Sequence, residues 1–296
     1  MMRGRPLRLF FAACALGVGA LTAGADTLLD GARNIAILNE GNLKPVTYVL
    51  PTPAPDAVEI DLDLRGSVLG IPMIRANYTG WMDGTTYAAY ADLKTSGLAA
   101  LLKKLEIWSV TTGRISRAGF SPRFHVQQNR DKKNRRVEMN YDDAARKVDV
   151  VIVPRLGSQG KPPATPEERY SADDTVSAVM HLMTRGGRTD GPLCAGALRV
   201  FDSKQHYDLR MEQAGTRRLR YKGKSVETLR CKVYYEPISG FDPEDLPSAD
   251  EDGTPVNVYL RRIDALDMHV PMRLTYKVGI LTVVVRLHDM QIRVPD

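Results

Sequence analysis

From Glu59 to the C-terminus the apolar residues recur at every second position, and this period of two decides the fold class. Glu59-Ile60-Asp61-Leu62-Asp63-Leu64-Arg65 alternates strictly, the pattern of a strand with one buried and one wet face. Gly70, Gly80 and Asp83-Gly84 punctuate the segments that follow. Asp83-Gly84 predicts a hairpin between Ile74–Trp81 and Thr86–Leu93. Arg136 to Tyr141, His206 to Met211 and Arg218 to Lys222 alternate again, as do Lys147–Val153, Arg230–Glu236, Val256–Ile263, Met272–Val278 and Ile280–Leu287. One-sided strands in this number are the habit of antiparallel sheets. The expected fold is therefore mostly β: a large curved antiparallel sheet, forming an open or half β-barrel with one main helix packed on its concave face.

That helix is expected over Asp174–Arg185. Asp173 or Ser171 can cap its first amides, Asp174 suits the positive end of its dipole, and Gly186 can end it in a left-handed conformation. Val176, Val179, Met180 and Met183 form its apolar stripe. Methionines at such positions fill core gaps more often than they grip ligands. A second helical spacing, Ser96 to Leu105, is also short enough to be a strand and turn. Two loops interrupt the strands. Pro154 to Tyr170 holds four prolines, and Gly240 to Pro255 holds six acids and no basic residue.

The N-terminus has the grammar of a secretory signal peptide. Arg3, Arg5 and Arg8 precede an apolar run from Leu9 to Leu21, and Ala23-Gly24-Ala25 supplies a small-x-small pattern. Cleavage is expected after Ala25, which gives a signal peptide over 1–25, a strap or linker over 26–57 with a Pro-rich end, and one antiparallel β domain over 58–296. The apolar run is shorter than the roughly 20 residues of a membrane-spanning helix, so an integral membrane protein is not expected. The setting implied is the periplasm. With 25 of 296 residues removed and three arginines lost with them, the net charge falls from +6 to about +3, too mild to imply nucleic acid. A hydrophobic content of 43% supports a real core.

Cys194 and Cys231 remain after cleavage. An even count in an oxidising compartment favours a disulfide, and both residues share strand phase with apolar neighbours. Two buried free thiols are the alternative.

Catalytic signals are thin, and no catalytic residue, metal ligand or cofactor is expected. His125, His181, His206, His269 and His288 have no His or Cys partner at metal-ligand spacing. No Gly-x-Ser-x-Gly elbow occurs, and Ser158-Gln159-Gly160-Lys161 lies in a loop rather than on the helical turn that a Ser-x-x-Lys pair needs. Asp250-Glu251-Asp252-Gly253 lacks the flanking ligands of a calcium loop. Two basic clusters could attract lipid headgroups, phosphates or acidic glycans: Arg130, Lys132, Lys133 and Arg135 at a hairpin tip, and Arg218, Arg220 and Lys222 along one strand face. Ordinary protection of turns and edges by charge is the favoured reading of both. Trp81 and Trp108, with Val176, Val179, Met180 and Met183, are the candidate lining of an apolar cavity.

The chain resembles the exported proteobacterial proteins of the domain of unknown function 3108 family. The resemblance rests on Gly97-Leu98, Gly113, Ser116 to Phe124, Arg136 to Asp142, Asp173 to Ala178, Cys194 to Asp202, Arg230 to Gly240 and Val270 to Leu274. It implies a periplasmic setting and transfers no catalytic signature. More remotely, the layout is similar to lipoprotein-carrier proteins, in which an open, strongly curved sheet wraps a helix.

Three functions follow as expectations. The first is a non-enzymatic envelope protein holding a hydrophobic or lipidated ligand, a lipid, a lipoprotein or a partner segment in a β-barrel groove. The second is an envelope-integrity scaffold with a filled core that acts through protein or glycan contacts. The third is an unrecognised hydrolase, which would need a cleft where a His meets a carboxylate and a Ser.

Overall fold

The computed structural model describes residues 34–36, 47–49, 52–97, 99–100, 105–129, 134–248 and 253–295. The signal-peptide assignment, most of the 26–57 strap and half of the Ser96 to Leu105 segment lie outside them. Within the strap, β1 (Asn34–Ala36) and β2 (Thr47–Val49) pair as a small antiparallel ladder.

The rest is one antiparallel sheet of thirteen strands. The first meander is β3 (Val58–Val68), β4 (Ile71–Met82), β5 (Thr86–Thr95), β6 (Glu106–Ser116), β7 (Gly119–Asn129), β8 (Arg136–Asp142) and β9 (Lys147–Val153). The second is β10 (Ala195–Phe201), β11 (His206–Tyr221), β12 (Lys224–Ser239), β13 (Val256–Ile263), β14 (Met268–Val278) and β15 (Leu281–Arg293). In each meander consecutive strands are neighbours. The two are joined by β15 against β3, where Arg293 stands opposite Glu59. The sheet does not close on itself, and its free edges are β9 and β10.

The connection between those edges carries two helices, α1 (Pro166–Tyr170) and α2 (Thr175–Thr184). α1 packs on β9. Asp173 then pairs with β10: its N–H donates to Arg199 O, and Phe201 N–H donates to Asp173 O. Phe201, Ala164 and Ala172 form one apolar cluster with Val137, Met139, Tyr141 and Val148 of β8 and β9. A loop and short helix thus cover two strand edges that would otherwise present unpaired amides.

α2 lies in the concavity as expected, one residue shorter at each end. Asp174 itself is the N-cap, accepting from Val176 N and Ser177 N. Gly186 follows the C-cap with a φ of +68°. Val176, Val179, Met180 and Met183 are buried among Ile60, Leu62, Tyr78, Ala89, Met268 and Met272. The cavity described against this helix, lined by Leu62, Leu64, Tyr78, Val179, Leu182, Met183 and Val258 among others, measures about 10 Å³, the room of roughly one water molecule.

Cys194 and Cys231 form a disulfide with a Cα–Cα distance of 5.4 Å. Cys194 sits in the turn before β10 rather than on the strand, and Cys231 is on β12. Both are buried among Leu198, Met211, Val233 and Val258. The bridge therefore crosses β11 and holds the edge strand to the body of the sheet. Cys231→Ser is expected to lower stability by about 3–4 kcal/mol in the chain-entropy account of loop closure. For a chain of this size that corresponds to a melting temperature lower by roughly 5–15 °C under oxidising conditions. Equal melting of variant and oxidised parent would contradict a stabilising bridge.

Candidate functional site

The polar residues that the helix brings together lie at its N-terminus. Asp174 is fully buried, and its carboxylate is saturated. Oδ1 accepts from Val176 N at 2.9 Å and Ser177 N at 3.0 Å, and His125 Nδ1 of β7 stands 2.9 Å from it. Oδ2 accepts from Thr111 Oγ1 of β6 at 2.7 Å and from Ser177 Oγ at 2.5 Å. Tyr87 OH of β5 is 2.6 Å from Ser177 Oγ, and Tyr78 OH of β4 donates to Val176 O at 3.3 Å. Burial alone would raise the Asp174 carboxyl. The neighbouring His125 and the hydrogen bonds from Ser177 overcome it and hold this carboxyl below its usual range.

A second carboxylate beside it behaves in the opposite way. Asp173 is pushed up by burial, against the pull of His181. Its Oδ2 is 2.7 Å from His181 Nδ1, eight residues along the chain, and the His181 ring lies 5.3 Å from that of Phe120 on β7. At the other end of α2, Arg185 donates to Ala195 O at 3.0 Å and Ala197 O at 3.3 Å on β10. The helix is thereby pinned to β5, β6 and β7 at its start and to β10 at both ends.

A His, a carboxylate and a Ser do meet here, but not in a catalytic order. Acyl transfer places the imidazole between carboxylate and hydroxyl, so that the ring can take the nucleophile's proton. In this cluster the carboxylate is in the middle, and the Ser177 hydroxyl donates to it directly. The side chains of His125 and Asp174 are 3% and 0% exposed, which leaves no approach for a substrate. The arrangement clamps a helix into a sheet. Ser158 Oγ bonds Asp242 Oδ1 at 2.6 Å, so the Ser-x-x-Lys hydroxyl is engaged as well.

The other candidate residues are dispersed. Trp81 and Trp108 do not join Val176, Val179, Met180 and Met183 around one cavity. Their strand phase turns them to the opposite face of the sheet. Trp81 packs with Ala57 and Ala88, and Trp108 with Val110 and Val126. Lys222 is not on the face of Arg218 and Arg220. It occupies the two-residue turn Lys222-Gly223, with φ of +47° and +79°, as a primed hairpin turn requires, and it forms an ion pair with Asp289 of β15. Arg218 and Arg220 remain exposed. Arg130, Lys132 and Lys133 lie outside the described residues, whereas Arg135 donates to Pro154 O at 3.3 Å. In the acidic loop, Asp250, Glu251 and Asp252 are outside the described residues. Asp242 and Asp245 are not merely solvated, because both contact Lys204. Among the described residues no group of three or more His, Cys, Asp or Glu is placed to hold a metal.

Thr111, His125, Ser177 and Tyr87 escape a search by spacing, since each is a single polar residue on a separate element. The readable signal is phase. Thr111 and His125 stand directly opposite one another on β6 and β7, on the face their neighbours bury, and a buried His needs a polar partner.

The architecture defines the class: an open antiparallel sheet wound around one helix and closed at its gap by the connection that carries the helix. A family model described as protein of unknown function (DUF3108) matches residues 64–286, and the chain belongs to that family. Among solved structures, a β-barrel-like protein of domain of unknown function DUF1849 from Brucella abortus is 12% identical, with a TM-score of 0.43, over 80% of this chain and 98% of its own. Aeromonas veronii immune modulator A is 9% identical, with a TM-score of 0.22, over 80% and 95%. No curated protein matches. Among the described residues no helix is long and apolar enough to cross a membrane.

Replacing Asp174 by Ala removes the cap and leaves His125, Thr111 and Ser177 without a buried acceptor, so a loss of about 3–5 kcal/mol in unfolding free energy is expected. The pH dependence has a definite sign. A carboxyl held low in the folded state stabilises fully above its unfolded value, and that contribution fades as pH falls through the folded value. The stability gap between parent and Asp174→Asn should therefore narrow as pH is lowered from about 7 to about 3. Chemical unfolding at several pH values measures it, and a gap that widens in acid would contradict the assignment.

Proposed function

We propose that this protein is a non-enzymatic component of the cell envelope whose interior is structural and whose outer surface makes its contacts, with protein or glycan partners. The observation that carries this reading is the packing of α2 against the concave face among the described residues. The apolar stripe of α2 is packed directly into the sheet, and the described cavity beside it is about 10 Å³, against roughly 300–1,000 Å³ for a small-molecule site. A ligand held inside, hydrophobic or lipidated, would require α2 to leave. Leaving would break the Asp174 clamp, the Asp173 bridge to β10 and the Arg185 bonds together. An exported, periplasmic setting agrees with the N-terminal pattern of residues 1–25 and with the disulfide, which persists in oxidising compartments.

Native mass spectrometry with lipid extraction, on the protein purified from the periplasm, tests the reading. A clean apo mass is expected, two protons lighter than the dithiol. A co-purified lipid or lipopeptide at fixed stoichiometry would overturn the filled-interior reading and return the search to the concavity.

A further inference from the structure

The outer face of the sheet carries a row of like charges in direct register across four neighbouring strands. Arg273 of β14 stands opposite Arg286 of β15, Arg286 opposite Arg65 of β3, and Arg65 opposite Arg75 of β4. Lys94 of β5 continues the row, opposite Arg75. All five point away from the core, because their strand neighbours Leu274, Leu287, Leu64, Ile74 and Leu93 are buried in it. Like charges placed directly opposite destabilise a sheet. Compensation is sparse: Asp63 pairs with Arg65 at 3.0 Å, and among the described residues no carboxylate lies at ion-pair distance from Arg75, Arg273 or Arg286. Arg273 Nε is buried without a hydrogen-bond partner, while its guanidinium lies 5.9 Å from the Tyr259 ring.

The same strands end in two adjacent hairpin tips that expose apolar side chains. Ile280 is 100% exposed, with Leu281 beside it. Leu69 is 79% exposed, with Ile71 beside it. Val283 opposite Val68 brings the two hairpins side by side. No acidic residue occurs between Arg65 and Arg75 or between Arg273 and Arg286, and Lys277 adds a further cation. Four to seven residues separate the arginine row from the tips, or about 13–23 Å along extended chain.

We infer that this end of the sheet docks on an anionic phospholipid surface, the Leu69–Ile71 and Ile280–Leu281 tips entering the leaflet and the row of Arg65, Arg75, Arg273 and Arg286 binding lipid phosphates. The dimensions agree. An apolar element enters the boundary between headgroups and acyl chains by about 5–10 Å, which leaves the arginine row at or just above the headgroups. Guanidinium is the side chain best shaped for phosphate, since its planar donors pair with two oxygens at once. A row of four provides sites spaced by about 4.8 Å, the distance between strands. A bare polyanion would satisfy the arginines but would leave the isoleucine and leucine tips in water. A lipid surface accounts for both observations. The inference is independent of what fills the interior, because every residue it uses faces outward.

The test uses the exported form of the chain and a probe at the tip itself, so that binding through any other segment is not counted. Ile280→Cys in the chain without residues 1–25, whose other two cysteines are joined in the disulfide, is labelled with an environment-sensitive fluorophore and mixed with phosphatidylcholine vesicles, with and without about one-third phosphatidylglycerol. A blue shift is expected with the anionic vesicles, quenched by nitroxide-bearing lipid, and none from a label at exposed Val151 on β9. Arg75→Gln with Arg286→Gln should weaken the response at least tenfold, and so should Leu69→Ser. Neither change touches the core, and thermal melting checks that the variants are folded. The inference is overturned if the Ile280 label does not respond to anionic vesicles, or if the arginine variant responds like its parent. It is equally overturned if soluble polyphosphate binds the parent while vesicles leave the label unchanged.

Discussion

The Asp174 carboxylate is the contact on which the arrangement turns. An open sheet of thirteen strands has a concave apolar face that must be filled, and α2 is the element available to fill it. Hydrophobic contact alone would let a ten-residue helix slide or rotate in such a groove. Five contacts to one buried carboxylate, drawn from its own helix and from β6 and β7, fix both its position and its rotation. A buried polar network specifies one geometry in this way; four of the five contacts are hydrogen bonds, and His125 Nδ1 adds a close contact at ion-pair distance. The neighbouring Asp173 joins the same turn to β10, so two consecutive acids tie the two sides of the sheet to one point.

That clamp also shows how a His, a carboxylate and a Ser can lie within contact distance without the order of an acyl-transfer triad. Chemistry needs a base whose lone pair is free and a route for substrate. Both oxygens of Asp174 already accept two or more contacts, and the Ser177 hydroxyl is held between a carboxylate and Tyr87. The residue types are those of a hydrolase, while the connectivity is that of a helix cap extended into a sheet.

Much of the architecture is legible in the sequence, because alternation is a local property and each strand announces its own buried face. Most strands from Glu59 onward, the Asp83-Gly84 turn, the helix after Asp174 and the pairing of Cys194 with Cys231 follow from such local or compositional signals, whereas alternation does not delimit β6 and β7, and β11 is one strand where two segments alternate. The short helix α1 is announced too. Thr165-Pro166-Glu167-Glu168 has proline at the first helical position and the reciprocal bonds of a capping box, a signal masked by the prolines around it. The placement of Trp81 and Trp108 is readable from phase once the inward residues of β4 and β6 are known. The Asp174 cluster and the arginine row are not readable in this way. Each is assembled from single residues on strands whose register is set by long-range pairing, and a shift of one residue would send every member to the other face.

The pairing of β15 with β3 has a consequence for how the chain reaches this fold. Within each meander the contacts are between consecutive strands, so residues 58–153 and 195–293 can each gather through connections of at most sixteen residues. The seam between them joins positions 234 residues apart. Loop closure over such a span is entropically unfavourable, and pairings of high sequence separation slow folding. The helix lies midway along the chain between the two halves and has contacts waiting on both. It can therefore act as a template that draws the halves together, so that the last contacts made in sequence terms become the first that two preformed sheets encounter.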